Sequence, residues 1–178
     1  MTFEVLTWVV ARVAGLTALT ALSVSLLTGV GIRTGVLDWL GPNRVLRSLH
    51  EYTTVLWMPL GAIHIGALLL DQTARIRIVD LAVPFLVPYG GLAVGMGTLS
   101  FQLFLLVVIT GLLRRRMDSQ AWQWLHRLSY VAYGLLFVHS LLAGSDVGDP
   151  VVAALTWSTA GLLALLAAAR VIWGRLPA

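Results

Sequence analysis

The sequence predicts an all-α membrane protein, a bundle of five transmembrane helices, and three observations lead there. Of the 178 residues, 58% are hydrophobic and only 11% charged, where a soluble domain carries about 25% charged residues. Mean hydropathy is +0.89. Apolar runs long enough to cross a bilayer, which takes ~20 residues, recur five times, with arginines gathered largely at their ends.

The first helix is expected over about 6–32. The opening MTFEVLTWVVARVAGL lacks a basic leader, carries Glu4 and offers no small-residue cleavage site, so it reads as a retained span and not a signal peptide. The second helix is expected over about 49–70, the third over 91–113, the fourth over 121–143 and the fifth over 151–173. Each run is continuous and mostly uncharged, and an open strand would leave backbone groups unsatisfied in lipid. Residues 73–89 mix Arg75, Arg77, Asp80, Pro84 and Pro88 with apolar residues; they are too broken to span and are expected at the interface. Asp149-Pro150 supplies a capping side chain and a first-turn proline for the fifth helix. The whole chain, 1–178, reads as one transmembrane domain.

All twelve basic residues are arginines, and their placement is a topology signal that leaves nucleic acid unsupported as a partner. Arg33, Arg44, Arg47, Arg114, Arg115, Arg116, Arg170 and Arg175 fall on one side, which puts the N-terminus outside and the C-terminus in the cytoplasm. With no cysteine in the chain, disulfides, thiolate zinc sites and iron–sulfur clusters are excluded. Of the eight acidic residues only Glu51 lies within an expected helix, so a carboxylate proton relay through the membrane has no residues to use.

The chain's four histidines fall as two pairs. His50 and His64 stand 14 residues apart on the second helix, His126 and His139 stand 13 apart on the fourth, and the two helices run in the same direction. These steps are roughly 21 and 19–20 Å along a helix, so His50 with His126 and His64 with His139 make two imidazole pairs at two depths. Two imidazoles fill both axial positions of a b-type haem iron; two haems, one near each membrane face, would carry electrons across. Fourteen residues leave the histidines of the second helix about 40° apart in phase, on one face, whereas thirteen leave those of the fourth about 140° apart. Interhelical hydrogen bonding is the plainer use of a membrane histidine. A shared divalent ion is disfavoured, since the two histidines of one helix are too distant and no cysteine or mid-membrane carboxylate completes a set.

Arg12, Arg47 and Arg127 are candidates to meet the haem propionates, against snorkelling to headgroups as the alternative. Gly61, Gly66 and Gly134 are candidates for close approach of a porphyrin ring, or for plain helix contact. Trp57, Tyr130, Tyr133 and Phe137 are able to line such a pocket or simply pack; Trp122, Trp124 and Trp173 read as interfacial belt residues.

The stretches WVVARVAGL, LH followed by AIHIGALLLD, LAVPF, AWQWLHRLSY and VHSLLAGSD, which run from Trp8 to Asp146, resemble the ferric-reductase-like transmembrane domain. This is the di-haem helical core shared by ferric reductases and NADPH oxidases, and the likeness is to small stand-alone bacterial members. It implies two haem b groups on His50, His64, His126 and His139, a bacterial plasma membrane location, and electron transfer from an inner donor to an outer acceptor. The family's flavin and nicotinamide domains have no counterpart in these 178 residues, which contain no G-x-G-x-x-G. A separate donor, flavoprotein or quinol, and a separate acceptor are therefore expected. Two alternatives stay open: a quinone-linked cytochrome b subunit of a larger complex, and a haem-free accessory or assembly subunit.

Overall fold

The structure is a computed structural model that describes residues 2–88 and 90–173, the side chains of 169–173 excepted. Arg175, and the side chains of Arg170 and Trp173, lie outside the described residues. The chain is all-α: α1 (Phe3–Thr34), α2 (Asn43–Leu70), a short α3 (Ile78–Ala82), α4 (Gly91–Leu112), α5 (Ser119–Ala143) and α6 (Pro150–Trp173). α1, α2, α4 and residues 150–168 of α6 are long and apolar enough to cross a membrane, so the protein is a multi-spanning membrane protein. α5 has the length of a span, but Gln120, Gln123, His126 and Arg127 make its first half polar.

Local chemistry sets the ends. The Val5 N–H donates to the Thr2 hydroxyl at the start of α1, and Gly35, in the left-handed region at φ 73°, closes it by donating to the Gly31 carbonyl. The Asp118 carboxylate accepts from the Gln120 and Ala121 N–H groups, both at 2.9 Å, and starts α5. The α6 helix begins at Pro150, where its fixed φ and missing N–H cost nothing.

The helices fall into two compact units, Met1–Arg75 with Val151–Ala178, and Ile76–Pro150. In the first, α1 packs along α2 with small and hydroxyl-bearing residues inward: Thr7, Ala11, Ala14, Ala21, Ser23, Ser25 and Thr28 are all buried. Large apolar side chains such as Val13, Tyr52 and Val55 are exposed. That inversion of the soluble pattern suits lipid, which is as apolar as leucine and leaves close packing of small residues to hold helices together. Three of the buried hydroxyls are satisfied within their own helices: Ser23 donates to the Leu19 carbonyl, Thr28 to Val24 and Thr53 to Leu49.

In the second unit α4 and α5 are tied by the Ser100 hydroxyl, which donates to the Ala132 carbonyl at 2.8 Å with both residues fully buried. The segment before α4 does not span. α3 lies against α4, its carbonyls at Asp80, Leu81 and Ala82 accepting from Thr98 and Gln102. Its N-terminus is closed by Asp80, which accepts from the Arg77 backbone at 2.8 Å and pairs with the Arg77 guanidinium. The guanidinium and backbone hydrogen bonds from Arg77 hold the buried Asp80 carboxyl below its ordinary range. A group so lowered stabilises the folded state above the ordinary carboxylate range and loses that contribution as pH falls through its lowered value. Asp80→Asn is therefore expected to speed amide exchange over residues 77–82 at neutral pH. In the unaltered protein the same loosening should begin only when acidification passes below the ordinary carboxylate range; hydrogen-exchange mass spectrometry checks both.

Candidate functional site

Three of the four histidines are held in the same way. His50 Nδ1 lies 2.7 Å from the Ser25 carbonyl of α1, His64 Nδ1 lies 2.7 Å from the Ala11 carbonyl, and His139 Nδ1 lies 2.8 Å from the Ala93 carbonyl of α4. A carbonyl only accepts, so each Nδ1 carries the proton and donates it. The tautomer follows. In the neutral ring Nε2 then holds the lone pair, which is the form of imidazole that ligates a metal.

Each ring also lies over a glycine one turn beyond the carbonyl. A Cβ added at Gly15 would stand 2.8 Å from His64 Nδ1, one at Gly29 3.2 Å from His50 Cε1, and one at Gly97 2.7 Å from His139 Nδ1. The seat is thus a carbonyl at position i and a glycine at i+4, repeated three times: Ala11 with Gly15, Ser25 with Gly29, Ala93 with Gly97. On α1 the two seats are 14 residues apart, matching the 14-residue step from His50 to His64 in the opposite chain direction, so α1 and α2 are antiparallel and in register at both levels.

His126 is held differently. Its ring stacks on Trp122, one turn earlier in α5, with centroids 5.0 Å apart and planes 22° apart, and Arg114 lies over the Trp122 ring at 4.5 Å. The 13-residue step accounts for the difference. His139 is directed at α4, and His126, about 140° further round an unbroken α5, does not share that face. Trp122 is accordingly a ring partner of His126 and not merely a belt residue.

The arginines occupy modest positions. Arg12, half-buried, sits over the Trp8 ring at 4.0 Å, and Arg127 over the Trp124 ring at 4.6 Å; Arg47 is exposed at the start of α2. Gly61, Gly66 and Gly134, candidates for close approach of a porphyrin or for plain helix contact, are not the glycines under the imidazole rings. A Cβ at Gly66 or Gly134 meets nothing within 4 Å, and one at Gly61 meets only Trp57 of its own helix. The glycines that matter stand on the neighbouring helices. Their signal in the sequence is the 14-residue step from Gly15 to Gly29, equal to that from His50 to His64.

Among the described residues no three His, Cys, Asp or Glu side chains converge. Fold and site define an all-α, multi-spanning membrane protein whose two histidine-bearing helices each lean on a glycine-bearing partner. No protein-family model, curated protein or solved structure matches the chain.

Substitution at the seats should be graded by these clearances. Gly15→Ala and Gly97→Ala force the ring off its carbonyl and should each destabilise the protein by about 1–3 kcal/mol, the usual cost of overpacking. Gly29→Ala should cost less. Gly66→Ala should be neutral or stabilising, since alanine is favoured over glycine inside a helix by up to ~1 kcal/mol. Thermal unfolding in detergent reads the order.

Proposed function

We propose that the chain is a membrane cytochrome b of the ferric-reductase-like type. It binds two b haems, through His50 with His126 and His64 with His139, and carries single electrons across the bilayer. The single observation that carries this reading is the hydrogen bond from Nδ1 to a main-chain carbonyl shared by His50, His64 and His139. A histidine that only ties helices together is free to use either ring nitrogen. Here all three spend Nδ1 on a carbonyl, which suits the arrangement in which an outer hydrogen bond orients a metal-binding imidazole and raises the basicity of Nε2.

The donor set suits haem over other groups. Imidazole is a standard axial ligand, and iron held by two of them changes charge by one electron without opening a coordination position. The chain's own residues supply the rest. Glycine seats fix ring position, Arg12, Arg47 and Arg127 offer positive charge for propionates, and the Trp122 Nε1–H is buried with no hydrogen-bond acceptor among the described residues, a donor suited to a carboxylate beside His126. α5 is packed along α4 from Ala93–His139 to Ser100–Ala132, which supports it as the fifth crossing. Five crossings with the arginine-rich ends in the cytoplasm put the N-terminus outside the plasma membrane. A separate donor, flavoprotein or quinol, then meets the His50 side, and an acceptor meets the His64 side.

The protein purified from haem-replete cells should show the Soret and α bands of low-spin, six-coordinate haem, with two haems per chain. Alanine at His50 or His126 should remove one haem, and alanine at His64 or His139 the other, so that the four variants fall into two spectral classes. A colourless preparation, or haem content indifferent to all four substitutions, overturns the reading.

A further inference from the structure

On α1 and α2 the seat glycine and the histidine recur after fourteen residues, and two positions beside the histidines differ between the levels by a hydroxyl. The His64 level has Ala11, Gly15 and, one turn along α2, Leu68. The His50 level has Ser25, Gly29 and Thr54 at the same places. Both added groups are hydroxyls, and both reach His50. Ser25 Oγ is 3.2 Å from His50 Nδ1 and 2.8 Å from Thr54 Oγ1, while Thr54 Oγ1 donates to the His50 carbonyl at 2.7 Å.

The protons in this cluster are fixed by elimination. Thr54 spends its only hydroxyl proton on the His50 carbonyl, so between Thr54 and Ser25 the donor is Ser25. Ser25 Oγ then has only lone pairs left, so toward His50 it accepts. The His50 Nδ1–H is shared between two acceptors of one residue, the Ser25 carbonyl at 2.7 Å and the Ser25 hydroxyl at 3.2 Å. Ser25 is buried at 3% exposure, where such bonds count for more than in water. A second acceptor on Nδ1 draws that proton further from the ring and makes Nε2 a stronger donor to a metal.

We propose that Ser25 and Thr54 are positioning residues that tune His50, making its Nε2 a stronger donor to a metal than the carbonyl and glycine of its seat would by themselves. The proposal rests on the haem reading above. A more basic axial ligand favours ferric over ferrous iron, so a haem held by His50 would titrate at a lower potential than it would without the two hydroxyls.

The test is a potentiometric titration of the haem-loaded, full-length protein, followed in the α band. Ser25→Ala turns the seat into a copy of Ala11 while leaving the carbonyl in place. It should raise one of the two midpoints, by a factor on the order of ten in the one-electron equilibrium, about 59 mV, with the other unmoved. Thr54→Val, which keeps the shape and removes the hydroxyl, should move the same midpoint in the same direction by less. The converse variant Ala11→Ser with Leu68→Thr should lower the other midpoint. In haem-free protein labelled at histidine, the His50 Nδ1 nitrogen resonance should shift in Ser25→Ala. Two bound haems with both midpoints unmoved, or moved equally, overturn the tuning role and leave the haem reading intact. A wild-type protein that takes up no haem overturns both, and reads differently from the first failure.

Discussion

An imidazole N–H inside a bilayer has no water to bond, and this one constraint organises both helix pairs. In hydrocarbon an unsatisfied polar group costs several kcal/mol, so each seated histidine needs an acceptor from a neighbouring helix. The acceptor is a main-chain carbonyl, exposed to an incoming side chain because the residue one turn further on is glycine. A slip of one residue would rotate the seat by 100° and move it 1.5 Å, placing a side chain where the ring must lie. Interhelical hydrogen bonds of this kind contribute only about 0.6–2 kcal/mol each. Their role is to set register and tautomer, while the close packing of Ala11, Ala14, Ala21 and Thr28 holds the pair together.

The fold was legible because its signals are long. Four apolar runs and the arginines at their ends placed α1, α2, α4 and α6 to within a few residues, with α1 and α2 each extending further at the N-terminal end. α5 was legible in position but less so as a span, since its polar first half dilutes the hydropathy that marks the others. The broken segment after α2 was legible as too broken to span, although the five-residue α3 and its Asp80 closure were invisible in so short a stretch. The histidine spacing was legible as well: a 14-residue step predicts one shared face, and both rings of α2 do meet α1.

The seats were not legible in the same way, for a physical reason. A main-chain carbonyl has no letter in the sequence, and a glycine in a membrane helix reads as ordinary close packing. An imidazole that leaves its own helix needs space on the next one, so its glycine stands on a helix that carries no histidine. The 13-residue step of α5 did carry a warning. Its phase mismatch is realised as two unlike environments, His139 bonded to α4 and His126 stacked on Trp122.

The fourteen-residue spacing also decides which effects can make the two levels differ. Charges about 21 Å apart, the rise of fourteen residues, interact by roughly 0.8 kcal/mol at an effective dielectric of 20. No carboxylate lies between Glu51 and Asp71 on α2 to add to that. A hydrogen bond to a group gaining charge is worth about 1.5–3 kcal/mol, larger than the field of one level at the other. Differences between the levels are therefore set locally, by what touches each ring. On α1 and α2 that local chemistry includes a main-chain carbonyl and a glycine at both levels, and the hydroxyls of Ser25 and Thr54 at His50.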